Sequence, residues 1–332
     1  MNHRLRFFLA PTAALVVAGM LSPFLNDYLL YIATIAALWA VLAVSFDVLL
    51  GYTGYLSLAH GALYGVGAYS CGILTSRMGW SFWLALPVCG LIAGLIGVVV
   101  ALLAFRTKGL YFAVLTLGIG LIGYQMFLVA ESLTGGVVGF VGIPSPPKIF
   151  GLALKPAHNN LLITLGLLWV TYLAAKAFVR SPLGAACIAV REDVTLAQAL
   201  GIRIAAARMT AFAFSAFFTG MAGAVFAAIS NFVAPESFAV MTTGFQMVVL
   251  VVIGGMGSLW GPILGAVLLT ALPESLRIAS SYSLVAYGCL LLGFMLFAPK
   301  GMSSLILKAW RYVRKPGRPV HHASAQPVTE AP

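Results

Sequence analysis

Charge is what this sequence has least of: 8% of its 332 residues are charged, and only eight are acidic. A soluble domain carries roughly 25% charged residues, so an ordinary water-facing globule is excluded. No GxxxxGK[ST] segment occurs, and without it the chain lacks the backbone cradle that holds nucleotide phosphates. HExxH and a nucleophile elbow are missing as well, which argues against an enzyme. The four cysteines, Cys71, Cys89, Cys187 and Cys289, show neither CxxC nor metal-ligand spacing. They read as small packing residues, and no metal site is expected.

What the chain has instead is apolar length. Runs without charge cover 7–26, 28–46, 48–76, 78–105, 109–130, 159–175, 209–235, 237–273 and 278–299. Each reaches or approaches the ~20 residues that cross a bilayer core. The first is read as a retained span rather than a cleaved leader, because no small-residue cleavage site follows it. The run 237–273 is too long for one ordinary helix and is interrupted by IGGMGSLWGPILGA at 253–266, so it counts as two passes. The expected fold is therefore all-α, a polytopic membrane protein of about ten transmembrane segments including interrupted helices. Residues 1–315 form the transmembrane domain, with a cytoplasmic loop at 180–204. Residues 316–332, rich in Pro, Ala and His, form a disordered tail.

The net charge of +11 does not point to nucleic acid. With the amino terminus in the cytoplasm, 15 of the 19 Lys and Arg fall on one side of the folded-back spans. That is the positive-inside pattern, and it makes anionic membrane lipids the partners of this face. Both termini are then cytoplasmic.

Two stretches are too rich in glycine for a lipid-facing helix: GYTGYLSLAHGALYGVGAY at 51–69, and 253–266. Small residues four apart, such as Gly61 and Gly65, let backbones approach closely, and interrupted helices survive only under cover of protein or a watery cavity. Matched interrupted segments in two halves of a chain point to a midplane pathway. The candidates for its lining are Asp47, Tyr55, Ser57, His60, Gly61, Gly254, Gly255 and Gly257. Asp47, the only carboxylate between 28 and 130, is either a pathway or partner-helix contact or an inner-interface group capping the turn into Gly51. His60 is either a substrate contact or a satisfied packing histidine, and the glycines either shape a pore or pack helices.

The longest polar interval with helical character is RSPLGAACIAVREDVTLAQALG, 180–201. Ala and Leu recur at 189, 196, 197, 199 and 200, and the pattern predicts a short amphipathic helix started near Asp193 and stopped at Gly201. Held on the basic side between spans, it suits docking to a soluble partner.

Five blocks in this order resemble the LivH/LivM family of permease subunits, closest to the LivM type. They are SFDVLLGYTGYLSLAHGALYGVGAY, TGGVVGFVGIPSP, RSPLGAACIAVREDVTLAQALGI followed by SAFFTGMAGAVFA, VVIGGMGSLWGPILGA, and LFAPKGM. The resemblance implies one permease of an ABC importer in the inner membrane of a bacterium, carrying branched-chain or related amino acids. It implies a second LivH-like permease, two ATP-binding subunits that hold ATP and magnesium, and a periplasmic substrate-binding protein. No cofactor is expected in this chain. Carried over, the ATPase-coupling helix comprises Arg191, Glu192, Asp193, Ala197 and Gly201. The sequence departs from the family pattern at Ala185 and at Thr195 to Gln198, both times by losing charge from the docking element. A self-contained secondary transporter or channel for a small polar solute is the alternative, and Asp47 and His60 are its only ion-coupling groups. An intramembrane enzyme would rest on Ser57 and His60, which a continuous helix would place on one face.

Overall fold

The computed structural model describes residues 26–105, 107, 109–148 and 155–276, with Gly288, Leu292, Gly293, Gly301 and Met302. Apart from Asn26, Gly288, Leu292 and Gly293, the expected first span at 7–26, the last at 278–299 and the tail at 316–332 lie outside the described residues. A chain this apolar must satisfy its backbone internally, and helices do so. They are α1 (Asp27–Thr53), α2 (His60–Gly72, continued by a π-turn over Ile73–Arg77), α3 (Phe82–Ala104) and α4 (Leu110–Val129). After a long loop come α5 (Pro156–Arg180), α6 (Pro182–Glu192), α7 (Val194–Ala199) and α8 (Ile204–Ser230). A π-turn over Val240–Gly244 leads into α9 (Phe245–Gly254), and α10 is Trp260–Leu276.

Six segments among the described residues are long and apolar enough to cross a membrane: α1, α3, α4, α5, α8 and Pro235–Gly254. The chain is a multi-pass membrane protein. The elements α2 and α10 fall below that length because the chain breaks beside them, at 54–59 and 255–259. The interrupted segments anticipated at 51–69 and 253–266 are thus present.

α8 is the central helix, packed against α3, α2 and α1. Glycine makes this possible: a Cβ on Gly67 of α2 would overlap the carbonyl of Gly220, and one on Gly223 would overlap that of Tyr64. Without a hydrophobic drive between helices in lipid, such close approach supplies the packing energy. At one end of the bundle the loop after α4 is pinned down by a two-residue ribbon, with Phe140 paired to Val233 and Val141 to Phe232. Asn231 Nδ2 reinforces it by donating to the Ile143 carbonyl at 2.8 Å. The ribbon gives the loop between α4 and α5 a short extended piece.

One boundary differs from the sequence reading, which ended the second span at Phe46. α1 continues through Asp47 for another turn and a half and stops where Gly54, at φ 76°, takes the left-handed conformation and returns its N–H to Leu50 O. A charge that finds a donor inside the protein need not end a helix.

Candidate functional site

Asp47 finds that donor in the break between α9 and α10. Its side chain is fully buried, and Oδ1 accepts the Gly257 N–H at 2.8 Å. One turn further along α1, the Gly51 carbonyl accepts from Arg191 Nη1, which reaches over from the end of α6. Gly51 must be glycine here, because a Cβ would collide with both Asp47 and the Gly257 nitrogen. Gly255 and Gly257, at φ 112° and 75°, make the break itself, and Gly254 packs against Gly261 as α9 turns back into α10. Asp47, Gly51, Gly257 and Arg191 therefore form one knot joining α1, the α9–α10 break and the polar loop. Asp47 Oδ2 is buried there without a hydrogen-bond partner.

The break at 54–59 runs back alongside α1, so that the His60 ring lies 4.9 Å from that of Phe46. His60 is fully buried, with Nδ1 3.0 Å from Ser57 Oγ and Nε2 2.9 Å from Ser215 Oγ on α8. Ser57 lies in the break and not on a continuous helix, so the pair meets through the loop. Both ring nitrogens engage hydroxyls, and no carboxylate orients the imidazole among the described residues. That arrangement holds a ring in place and gives a serine no activated base. Gly61, next along, faces the segment descending from the opposite end of the bundle. A Cβ on it would sit 3.0 Å from the Phe238 carbonyl and 3.3 Å from the Gly244 nitrogen. The helices beginning at His60 and Val240 thus start beside each other in the interior and run to opposite ends. Tyr55, half-buried in the break, packs edge-on against Phe112 at 4.9 Å and Phe105 at 5.7 Å. On its face lies the guanidinium of Arg208, 4.2 Å from the ring centroid.

The polar loop is two helices where one was expected. Ser181 Oγ caps α6 by accepting from Gly184 N at 3.3 Å, with Pro182 in the first turn. Asp193 then caps α7, its Oδ1 accepting from Thr195 N and Leu196 N at 2.7 and 3.0 Å. Gly201, at φ 79°, ends the element. Start and stop stand at the residues the sequence marks. Ala197 faces inward and is buried, Cys187 is fully buried with Sγ donating to the Ala207 carbonyl at 3.3 Å, and Arg191 turns toward Gly51. Burial pushes the Cys187 thiol up to about 11. Glu192, Asp193, Leu196 and Leu200 are among the residues that the loop exposes. The two leucines, 59% and 71% exposed, stand four residues apart, so they form an apolar knob beside two carboxylates. Leu196 and Leu200 carried the periodicity in the sequence, but their outward direction could not be read from it.

The family described as "Branched-chain amino acid transport system / permease component" matches residues 28–299. The high-affinity branched-chain amino acid transport system permease protein LivM of Escherichia coli K12 is 33% identical over 312 residues, covering 87% of this chain and 73% of that protein. LivM of Salmonella typhimurium aligns to the same extent, also at 33% identity. The high-affinity branched-chain amino acid transport system permease protein LivH of Salmonella typhimurium is 26% identical over 289 residues, covering 81% of this chain and 92% of its own. No solved structure gives a significant match.

Proposed function

The chain belongs to the branched-chain amino acid transport permease family, and from that membership we propose that it is one membrane-spanning subunit of an ATP-driven amino-acid importer. It works beside a second, LivH-like permease in the inner membrane, takes branched-chain or related amino acids from a periplasmic binding protein, and rests on two ATP-binding subunits. ATP and magnesium belong to those subunits, and hydrolysis occurs there. About ten spans follow from the six long helices, the two shorter ones α2 and α10, and the two apolar runs outside the described residues.

The observation that carries the mechanism is the knot around Gly51. The exposed face of α7 offers the leucine knob, Glu192 and Asp193 to a groove on an ATP-binding subunit. Movement of that subunit pulls on α6–α7, and Arg191 transmits the pull directly to the end of α1 and to the α9–α10 break. Those elements continue into the break at 54–59 and the helices that start at His60 and Val240, where the pathway opens. Coupling needs a stiff link between sites, and a side chain bridging three backbone segments supplies one. Substrate selection rests with the binding protein, which accounts for so few polar groups in the interior.

The test is purification of the tagged protein in mild detergent, with ATP hydrolysis measured on what accompanies it. A second permease and an ATP-binding subunit with vanadate-sensitive hydrolysis are expected. A chain that purifies alone and moves solute into liposomes without ATP sinks the reading and leaves the secondary-transporter alternative standing.

A further inference from the structure

One buried cation is used neither by the coupling knot nor by helix packing. Arg208 lies in the second turn of α8, 4% exposed, and Nε and Nη2 meet no acceptor. It forms no ion pair among the described residues. Asp47 is engaged with Gly257 and Asp193 with the first turn of α7, while Asp27, Glu131, Glu192 and Glu236 are exposed. Two guanidinium nitrogens buried without an acceptor are costly unless an anion completes them. The two free donors are also the adjacent parallel pair on one edge of the group, the fork that grips a carboxylate through both oxygens.

We propose that Arg208 receives the α-carboxylate of the transported amino acid in the inner half of the pathway, with the Tyr55 ring as its cover. This rests on the import reading above. A lipid phosphate would share the chemistry, but the surroundings favour the cargo. Phe112 and Phe212, both fully buried, close the site off beside Tyr55 and Phe105. Phe212 follows Arg208 by one turn and lies 5.0 Å from the His60 ring, and Ser215 continues the same face of α8 to His60 itself. Beyond His60 the helices starting at His60 and Val240 present their amino ends to each other, and such ends favour negative charge. An anionic group leaving that meeting point toward the α6–α7 side has Arg208 as its next partner.

The test uses the co-purified importer in proteoliposomes with its binding protein and radiolabelled amino acids. R208M removes the unpaired charge while keeping bulk. It is expected to leave the thermal midpoint equal or higher and ATP hydrolysis still stimulated, while uptake falls roughly 10–100-fold, the worth of a hydrogen-bonded charge. R208K, with the charge but not the fork, recovers part of the uptake. Normal uptake by R208M overturns the assignment. So does an R208M that loses thermal stability together with uptake, since that is a structural role. Repeating the assay in phosphatidylcholine vesicles with and without phosphatidylglycerol separates the lipid source. A dependence on phosphatidylglycerol that R208M abolishes assigns the guanidinium to a headgroup and overturns the proposal. A wild-type complex that moves no labelled amino acid removes the import reading first, and this one with it.

Discussion

At the scale of single residues, Arg191 and Cys187 hold the polar loop to the membrane bundle in different ways. Arg191 holds it by donating to Gly51 O beside Asp47. Its replacement by glutamine is expected to leave the helices intact, because Arg191 stands exposed in the last turn of α6 and its long side chain alone reaches the buried Gly51. Coupling free energies of this kind correspond to roughly 5–150-fold effects. R191Q is therefore expected to hydrolyse ATP at near the normal rate while amino acid moved per ATP drops about fivefold or more. Uptake and hydrolysis measured on the same proteoliposomes decide it, and an unchanged ratio would remove Arg191 from the coupling route. Cys187 holds the loop by burial against the start of α8. Its thiol is raised from the ordinary 9 to about 11, so the docked form keeps its proton more tightly than the undocked form. The stability of docking is then complete below about pH 9 and declines as pH rises from 9 toward 11. The thermal midpoint of the complex should fall over that window in the wild type and fall less in C187A. Parallel curves would show that the thiol does not stay buried in solution.

At the scale of elements, the loop separates what short-range chemistry reveals from what it hides. Asp193 and Gly201 were legible because an N-cap and a left-handed stop act within three residues of themselves. Replacing Asp193 by alanine costs α7 about 0.5–2 kcal/mol of cap energy, whereas asparagine keeps an acceptor and costs little. With Asp193 exposed at the edge of the bundle, D193A should slow uptake while global thermal stability barely changes, and D193N should transport nearly normally. Equal losses in both variants would mean that the carboxylate acts through its charge on the partner and not through the cap. α6 was not legible although Ser181–Pro182 is a start signal, because the recurring Ala and Leu positions that mark a helix face begin only at 189. The direction of Ala197, inward, and of Leu196, outward, was not legible, since a six-residue helix gives little periodicity to fix a face. The extension of α1 past Asp47 and the grip of Ser215 on His60 were invisible for another reason. Each depends on a partner more than 150 positions away, 210 for Gly257 and 155 for Ser215, and no local pattern encodes such a pairing. Arg208 carried a faint signal, an arginine at the very start of an uncharged run, but nothing in the sequence distinguished a buried cation from one at the interface.

At the scale of the whole molecule, the two ends of the bundle are built differently, and that difference fixes a testable orientation. One end is tied by the Phe140–Val233 ribbon, by Asn231 and by Ser76 Oγ donating to Gly142 O at 3.0 Å. The other carries α6, α7 and the knot around Gly51. Basic residues gather on the second, so the positive-inside rule predicts that it faces the cytoplasm. Parity then decides the tail: if 237–273 passes the membrane twice, as the turn at 255–259 and the return of α10 imply, the residues beyond 300 share that side. Single cysteines placed in an otherwise cysteine-free chain report the arrangement. One at Val137, 74% exposed beside the ribbon, should react with an impermeant thiol reagent in intact spheroplasts. One at Leu200, 71% exposed, and one at Ser324 in the tail should react only after permeabilisation. Labelling of position 324 from outside, with 200 still protected, would mean that 237–273 crosses an odd number of times. The α9–α10 break would then no longer sit beside Arg191 on the inner face, and the route from the polar loop to the interior would have to run through α8 alone.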